Sequence, residues 1–174
     1  DESEELKKVL KEIEDEVRRL IREIERVLEE IERRDRELLK RDEETLKRIE
    51  EEVRKLRLSE ELKKEAKKRL DESRRRLREL HEESKKRLDD IRERLERLLR
   101  ELEKRLTEVD KRIKREGARE EIIEELRRIL KEAEDVIRRI IEEVRDVLRE
   151  SEKRVRESID ENRKILEELR RRAK

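Results

Sequence analysis

Residues 6–28 read LKKVLKEIEDEVRRLIREIERVL. Leu6, Leu10, Ile13, Val17, Leu20, Ile24 and Leu28 are spaced by fours and threes, which places them on one side of an α-helix. Between them the residues are charged, apart from Val9, Ile21 and Val27. Positions 6, 10, 13, 17 and 20 recur at 24, 28, 31, 35 and 38, and again at 42, 46, 49, 53 and 56. Each group of five thus repeats after 18 residues, or 3.6 residues per layer. That is the natural period of a straight helix. A repeat of about 3.5 imposes left-handed supercoiling and one of about 3.67 right-handed, so this spacing predicts an untwisted bundle.

Working outward, the same five-layer pattern runs through 62–113 and 122–173. Ser59, followed by Glu60 and Glu61, reads as a helix cap with acids in the first turn. Lys114 and Arg115 before Gly117 read as a helix end, cations in the last turn followed by a residue free to turn left-handed. Ser3 reads as the first cap. The expected helices span about 3–57, 60–116 and 119–173, each roughly 85 Å long at 1.5 Å per residue. Two-residue connections make neighbours antiparallel. The expected fold is all-α, an up-down-up three-helix bundle occupying 1–174 as one domain. A lone solvated helix would have no reason to keep such a stripe.

The composition fits. Charged residues make up 64% and hydrophobic residues 30%, with no Pro, Cys, Met, Phe, Trp or Tyr. Disorder wants high net charge, yet 56 Lys and Arg nearly cancel 55 Asp and Glu, leaving +1. An alphabet of Glu, Lys, Arg and Leu points to long helices. No apolar run reaches the ~18 residues a membrane span requires, and no targeting signal is visible. Without cysteine there is no thiolate ligand, nucleophilic thiol or disulfide. A near-neutral chain without aromatics lacks the basic field and stacking platforms of most nucleic-acid binders. The expectation is a soluble protein needing no nucleic acid, membrane or cofactor.

Of the 45 stripe positions, 38 are apolar. The other seven are Asp35, Asp42, Ser73, Ser84, Ser151, Ser158 and Asn162, and none is Lys, Arg or Glu. Folding the chain at its connections sets residue i of the first helix level with about 117−i and 117+i. Asp35 then meets Ser84 and Ser151, while Asp42 meets Ser73 and Ser158. Thr45, at the stripe's edge, approaches Ser73 and Asn162. His81, one position past Leu80, lies level with Asp35 at the margin of the same patch. An ionised aspartate only accepts hydrogen bonds, so hydroxyl and amide donors are the partners it needs. The expected arrangement is a buried network that adds little stability but penalises wrong registers.

Two sharper chemistries are weaker. Asp35, Asp42 and His81 offer one imidazole and no Glu-x-x-His pair of the di-iron bundle type, so no metal is expected. His81, Asp35 and a serine supply three members of a catalytic triad. Nothing supplies an oxyanion hole, because helical amides are already hydrogen-bonded. No enzyme is expected.

The 18-residue repeat, the SEEL motif at both 3–6 and 59–62, the lone helix-ending glycine and the Glu/Lys/Arg surface carry a resemblance. The chain resembles de novo designed single-chain helical bundles with an untwisted five-layer repeat. Its polar intrusions resemble the buried hydrogen-bond networks introduced into other designed bundles. The resemblance implies a hyperstable structural scaffold without a natural biochemical activity.

Apolar residues outside the stripe are uneven. The first helix adds Val9, Ile21, Val27, Leu39 and Leu58 and the second only Leu99, whereas the third adds Ile123, Leu130, Ile141, Leu148, Ile159 and Leu166, again at 18-residue spacing. One reading has them widen the seam between the parallel first and third helices. The other makes them a face for a further helix or a second copy, since an apolar stripe left in water invites association.

Overall fold

The computed structural model describes residues 2–115 and 119–174. Three helices form an all-α bundle: α1 (Glu2–Arg54), α2 (Glu60–Lys114) and α3 (Arg119–Arg172). Their chemistry explains their ends. Acids occupy every first turn and cations every last turn, complementing the partial charges of the unpaired terminal amides and carbonyls. Ser59 caps α2 as expected. Its Oγ accepts the Leu62 N–H at 3.2 Å, while its carbonyl accepts the first helical bond from Lys63 at 2.9 Å.

Other boundaries differ from expectation. α1 already includes Ser3 in its first turn, so this serine does not stand before the helix as a cap. α1 also ends three residues early. Lys55 and Leu56 donate to the carbonyls of Glu52 and Val53, the tightened i→i−3 pattern that closes a helix. The first connection is therefore residues 55–59, not two residues. Gly117 and the expected end of α2 at 116 lie outside the described residues.

By its contacts the chain divides into two compact units, each built from a stretch of all three helices. Unit 1 comprises Asp1–Glu30 and Asp89–Arg145. Ile24, Leu28, Leu102, Ile122, Leu126 and Ile129 are among its fully buried side chains. Arg105 reaches Glu132 and Glu125, and Arg94 reaches Glu143, so α2 and α3 run antiparallel there.

Unit 2 comprises Ile31–Leu88 and Asp146–Lys174. Ion pairs between α2 and α3 join Glu83 to Arg154, Arg76 to Glu161 and Arg69 to Glu168. Each step of seven down α2 is matched by a step of seven up α3. That is an antiparallel register held constant over two heptads.

None of the 45 stripe positions is exposed. The reason is geometric: residues four and three apart on a helix share a face, and burying that face removes the apolar area from water. Unit 2 nevertheless does not have one continuous apolar core. One cluster gathers Leu46, Ile49, Val53, Ala66, Leu70 and Leu169. A smaller one, centred on Leu39, Leu80 and Val155, is separate from it. The residues between and beyond these clusters are the polar ones.

Candidate functional site

Two polar layers flank the Leu39–Leu80–Val155 cluster. In the first, Asp35, Ser84 and Ser151 are all buried, one from each helix. Ser84 Oγ donates to Asp35 Oδ2 at 2.7 Å and lies 3.3 Å from Ser151 Oγ. A serine has one hydroxyl hydrogen. With that of Ser84 directed at Asp35, Ser151 is the donor in the second bond, and the layer is a relay from Ser151 to Ser84 to Asp35. Such chains polarise each successive bond in the low-dielectric interior.

In the second layer Ser158 Oγ donates to Asp42 Oδ1 at 3.2 Å. That is long for a hydroxyl-to-carboxylate bond, whose usual range ends near 3.0 Å. Asp42 is 1% exposed. Burial pushes its carboxyl above the ordinary carboxylate range, and the Ser158 bond acts in the opposite direction. Ser73, also buried, lines with Asp42 and Ser158 a cleft of about 180 Å³ that opens between α2 and α3. A companion cleft of about 160 Å³ reaches Ser84 and Ser151. Arg154, paired with Glu83, lines both.

Neither layer is saturated. Asp35 Oδ1, Asp42 Oδ2 and the Oδ1 of buried Asn162 have no hydrogen-bond partner within the protein. A carboxylate offers about four acceptor sites, and each aspartate fills one of them from a protein side chain. Leaving a buried polar atom unmatched costs on the order of 1–3 kcal/mol.

Four expected members do not join the network: Ser73 and Asn162 are buried but make no side-chain hydrogen bond to either aspartate, and Thr45 and His81 stand apart from it. Thr45 is half-buried, and its Oγ1 donates to the carbonyl of Arg41 at 2.9 Å. A β-hydroxyl in a helix finds that i−4 carbonyl without leaving its own turn, so Thr45 does not extend to Ser73 or Asn162. His81 is exposed. One residue past Leu80 is a rotation of about 100° around the helix, which carries the imidazole to the groove between α1 and α2. The reading of all four as network members is corrected accordingly. Among the described residues, no three His, Cys, Asp or Glu side chains are grouped to hold a metal ion. No helix among them is long and apolar enough to cross a membrane.

The extra apolar residues of α3 are withdrawn from water. Leu148 and Leu166 are buried, and Ile123, Leu130, Ile141 and Ile159 are half-buried. Ile159 packs against the Leu39 cluster, and Leu166 belongs to the larger one. Leu39 packs with Leu80 of α2 and Val155 of α3 and also lines the groove between α1 and α2. The ion pairs that cover the polar clefts were not singled out from sequence. Their signal is opposite charge at flanking positions spaced by seven, as in Glu83 and Arg76 against Arg154 and Glu161, a spacing that Arg69 and Glu168 continue beyond the clefts.

The fold and site together define a class: a three-helix bundle carrying two buried hydroxyl–carboxylate layers. No protein-family model matches the chain, and neither a curated protein nor a solved structure matches it.

Proposed function

We propose that this chain is a de novo designed structural scaffold without catalytic activity, in which the buried polar layers select helix register and pairing. The regular 18-residue repeat supports the designed origin. The observation that carries the specificity role is the direction of the hydrogen bonds. Asp35 of α1 takes its bond from α2, and Asp42 of α1 takes its bond from α3. Sliding α2 by one turn, about 5.4 Å, replaces the Ser84 hydroxyl with Leu80 or Leu88. Sliding α3 so that Val155 replaces Ser158 does the same to Asp42, and each carboxylate then loses its donor. Such a register loses several kcal/mol relative to the native one. In the native register the same groups contribute little net stability, because their bonds replace equally good bonds to water.

The test pairs folding with assembly. In light scattering the parent chain is expected at a single mass near 21.8 kDa across concentrations. A variant with Asp35, Asp42, Ser84, Ser151 and Ser158 replaced by Leu or Ala is expected to stay helical and stable. It should also populate additional masses or a broadened set of amide environments. If that variant keeps one mass and one sharp spectrum, the layers do not supply specificity. If the parent itself changes mass with concentration, the chain self-associates and the scaffold reading gives way to an interface.

A further inference from the structure

From the geometry we infer that the cleft between α2 and α3 at Asp42 is a binding site for a small guanidinium-class cation. Asp42, Ser73 and Ser158 line this opening of about 180 Å³, together with Leu77 and Leu80. Asp42 is 1% exposed, and the protein gives its carboxylate a single donor, the Ser158 hydroxyl at 3.2 Å. Its second oxygen has no partner. The terminal torsion of aspartate is two-fold, so a half-turn exchanges the oxygen that meets Ser158 with the one left over. One turn further along α3, the Oδ1 of buried Asn162 also lacks a donor. Both leftover atoms only accept, so the group that completes this layer must donate.

The walls of the cleft select the charge of the occupant. Asp42, Glu79, Glu157 and Glu161 line it against two cations, Arg76 and Arg154. Arg76 is bonded to Glu161 at 2.8 Å and Arg154 to Glu83, so both are engaged at the rim. Asp42 forms no ion pair among the described residues. The companion cleft at Ser84 and Ser151 differs on each point. Its two acids and two bases balance, and Asp35 is not among its walls. A single buried carboxylate calls for one unit of positive charge. A divalent ion takes several charged oxygens, and no group of three acidic or histidine side chains among the described residues provides them. A guanidinium suits the site better. Its planar fork matches the edge of a carboxylate, and it gives up water more readily than an ammonium does. Its faces can lie against Leu77 and Leu80. A water molecule's share of liquid volume is about 30 Å³, so methylguanidinium enters this cleft with room for solvent beside it.

The probe is methylguanidinium chloride, titrated into the isotope-labelled full chain at about pH 7.5, with tetramethylammonium chloride holding the ionic strength constant. Amide shifts centred on residues 73–80 and 154–161, which carry the walls of the cleft, should saturate with Kd on the order of 1 mM. Affinity should fall as the pH is lowered to about 5, because a protonated carboxyl no longer attracts a cation. Asp42→Asn keeps the shape of the side chain and removes its charge. It is expected to lose at least about tenfold in affinity while remaining as helical as the parent by circular dichroism. Ser73→Val fills the cleft with Asp42 left in place, and a comparable loss there decides the matter should the first variant not fold. The proposal is overturned by shifts that do not saturate, by shifts centred on glutamates away from the cleft, or by undiminished binding in a folded variant. Equal binding of urea, which has the shape without the charge, overturns it. So does equal competition by sodium, which would show that any small cation serves.

Discussion

Ser158 donates to one oxygen of the Asp42 carboxylate at 3.2 Å, and the other oxygen, equally removed from water, has no partner. The pair is geometrically specific and energetically incomplete. Replacing both residues with apolar ones, Asp42→Leu and Ser158→Ala, is therefore expected to leave stability equal or higher, by up to about 2 kcal/mol. Guanidinium denaturation followed by circular dichroism checks this. A large loss of helicity would instead make the pair a stabilising element.

The pH dependence of the same carboxyl has a definite sign. Burial raises its folded pKa, and the Ser158 bond offsets part of that rise. A carboxyl raised on folding contributes its full stability below the unfolded pKa and loses it as pH rises through the folded one. Asp42→Asn, neutral throughout, should thus be more stable than the parent at pH 7, by on the order of 1 kcal/mol. The gain should vanish near pH 3, below the unfolded aspartate pKa of about 3.9. Glu83 and Glu168 behave oppositely. Hydrogen bonds from Arg154 and Arg69 hold them below the usual range, so their contributions fade as pH falls. They are present in both proteins and cancel in the comparison. An equal gain at pH 3 and pH 7 would assign the effect to packing.

In the other layer the two serines should differ. Ser84→Ala removes the bond to Asp35 and leaves a buried carboxylate without a donor, a loss of about 1–3 kcal/mol. Ser151→Ala removes only a 3.3 Å bond between hydroxyls and should cost under about 1 kcal/mol. Urea midpoints of the two variants decide the order, and a reversed order would show that the relay does not run toward Asp35.

The Ser59 cap predicts a local effect. Ser59→Ala should cost about 1 kcal/mol and raise amide exchange in the first turn of α2, at Leu62 above all, whose N–H loses its acceptor. Exchange unchanged at Leu62 would mean water replaces the hydroxyl without penalty.

Core truncation gives the scale against which these changes are read. Leu126 is fully buried, and Leu126→Ala should cost about 2–5 kcal/mol. Leu99→Ala, at a half-buried flank position, should cost clearly less. Equal losses would mean that unit 1 is packed less selectively than its burial pattern implies.

The sequence by itself determined the three helices, the face each buries and the heights at which polar residues meet. Those properties depend on angular position around a helix and on counting residues from a connection, both readable from spacing. Asp35 and Ser84 were paired to within two residues by that count. Only the tertiary structure decided which polar groups join. Thr45 lay close enough by counting but bonds within its own turn, and His81, a single residue from the stripe, rotates out to solvent. It also decided that the extra apolar side chains of α3 are buried or half-buried, while Arg36, Lys40, Arg54, Lys67 and Arg78 beside the α1–α2 groove of unit 2 form no ion pair among the described residues. Hydrogen bonds and ion pairs depend on distances of a few tenths of an ångström among side chains from different helices, which periodicity along one helix does not specify.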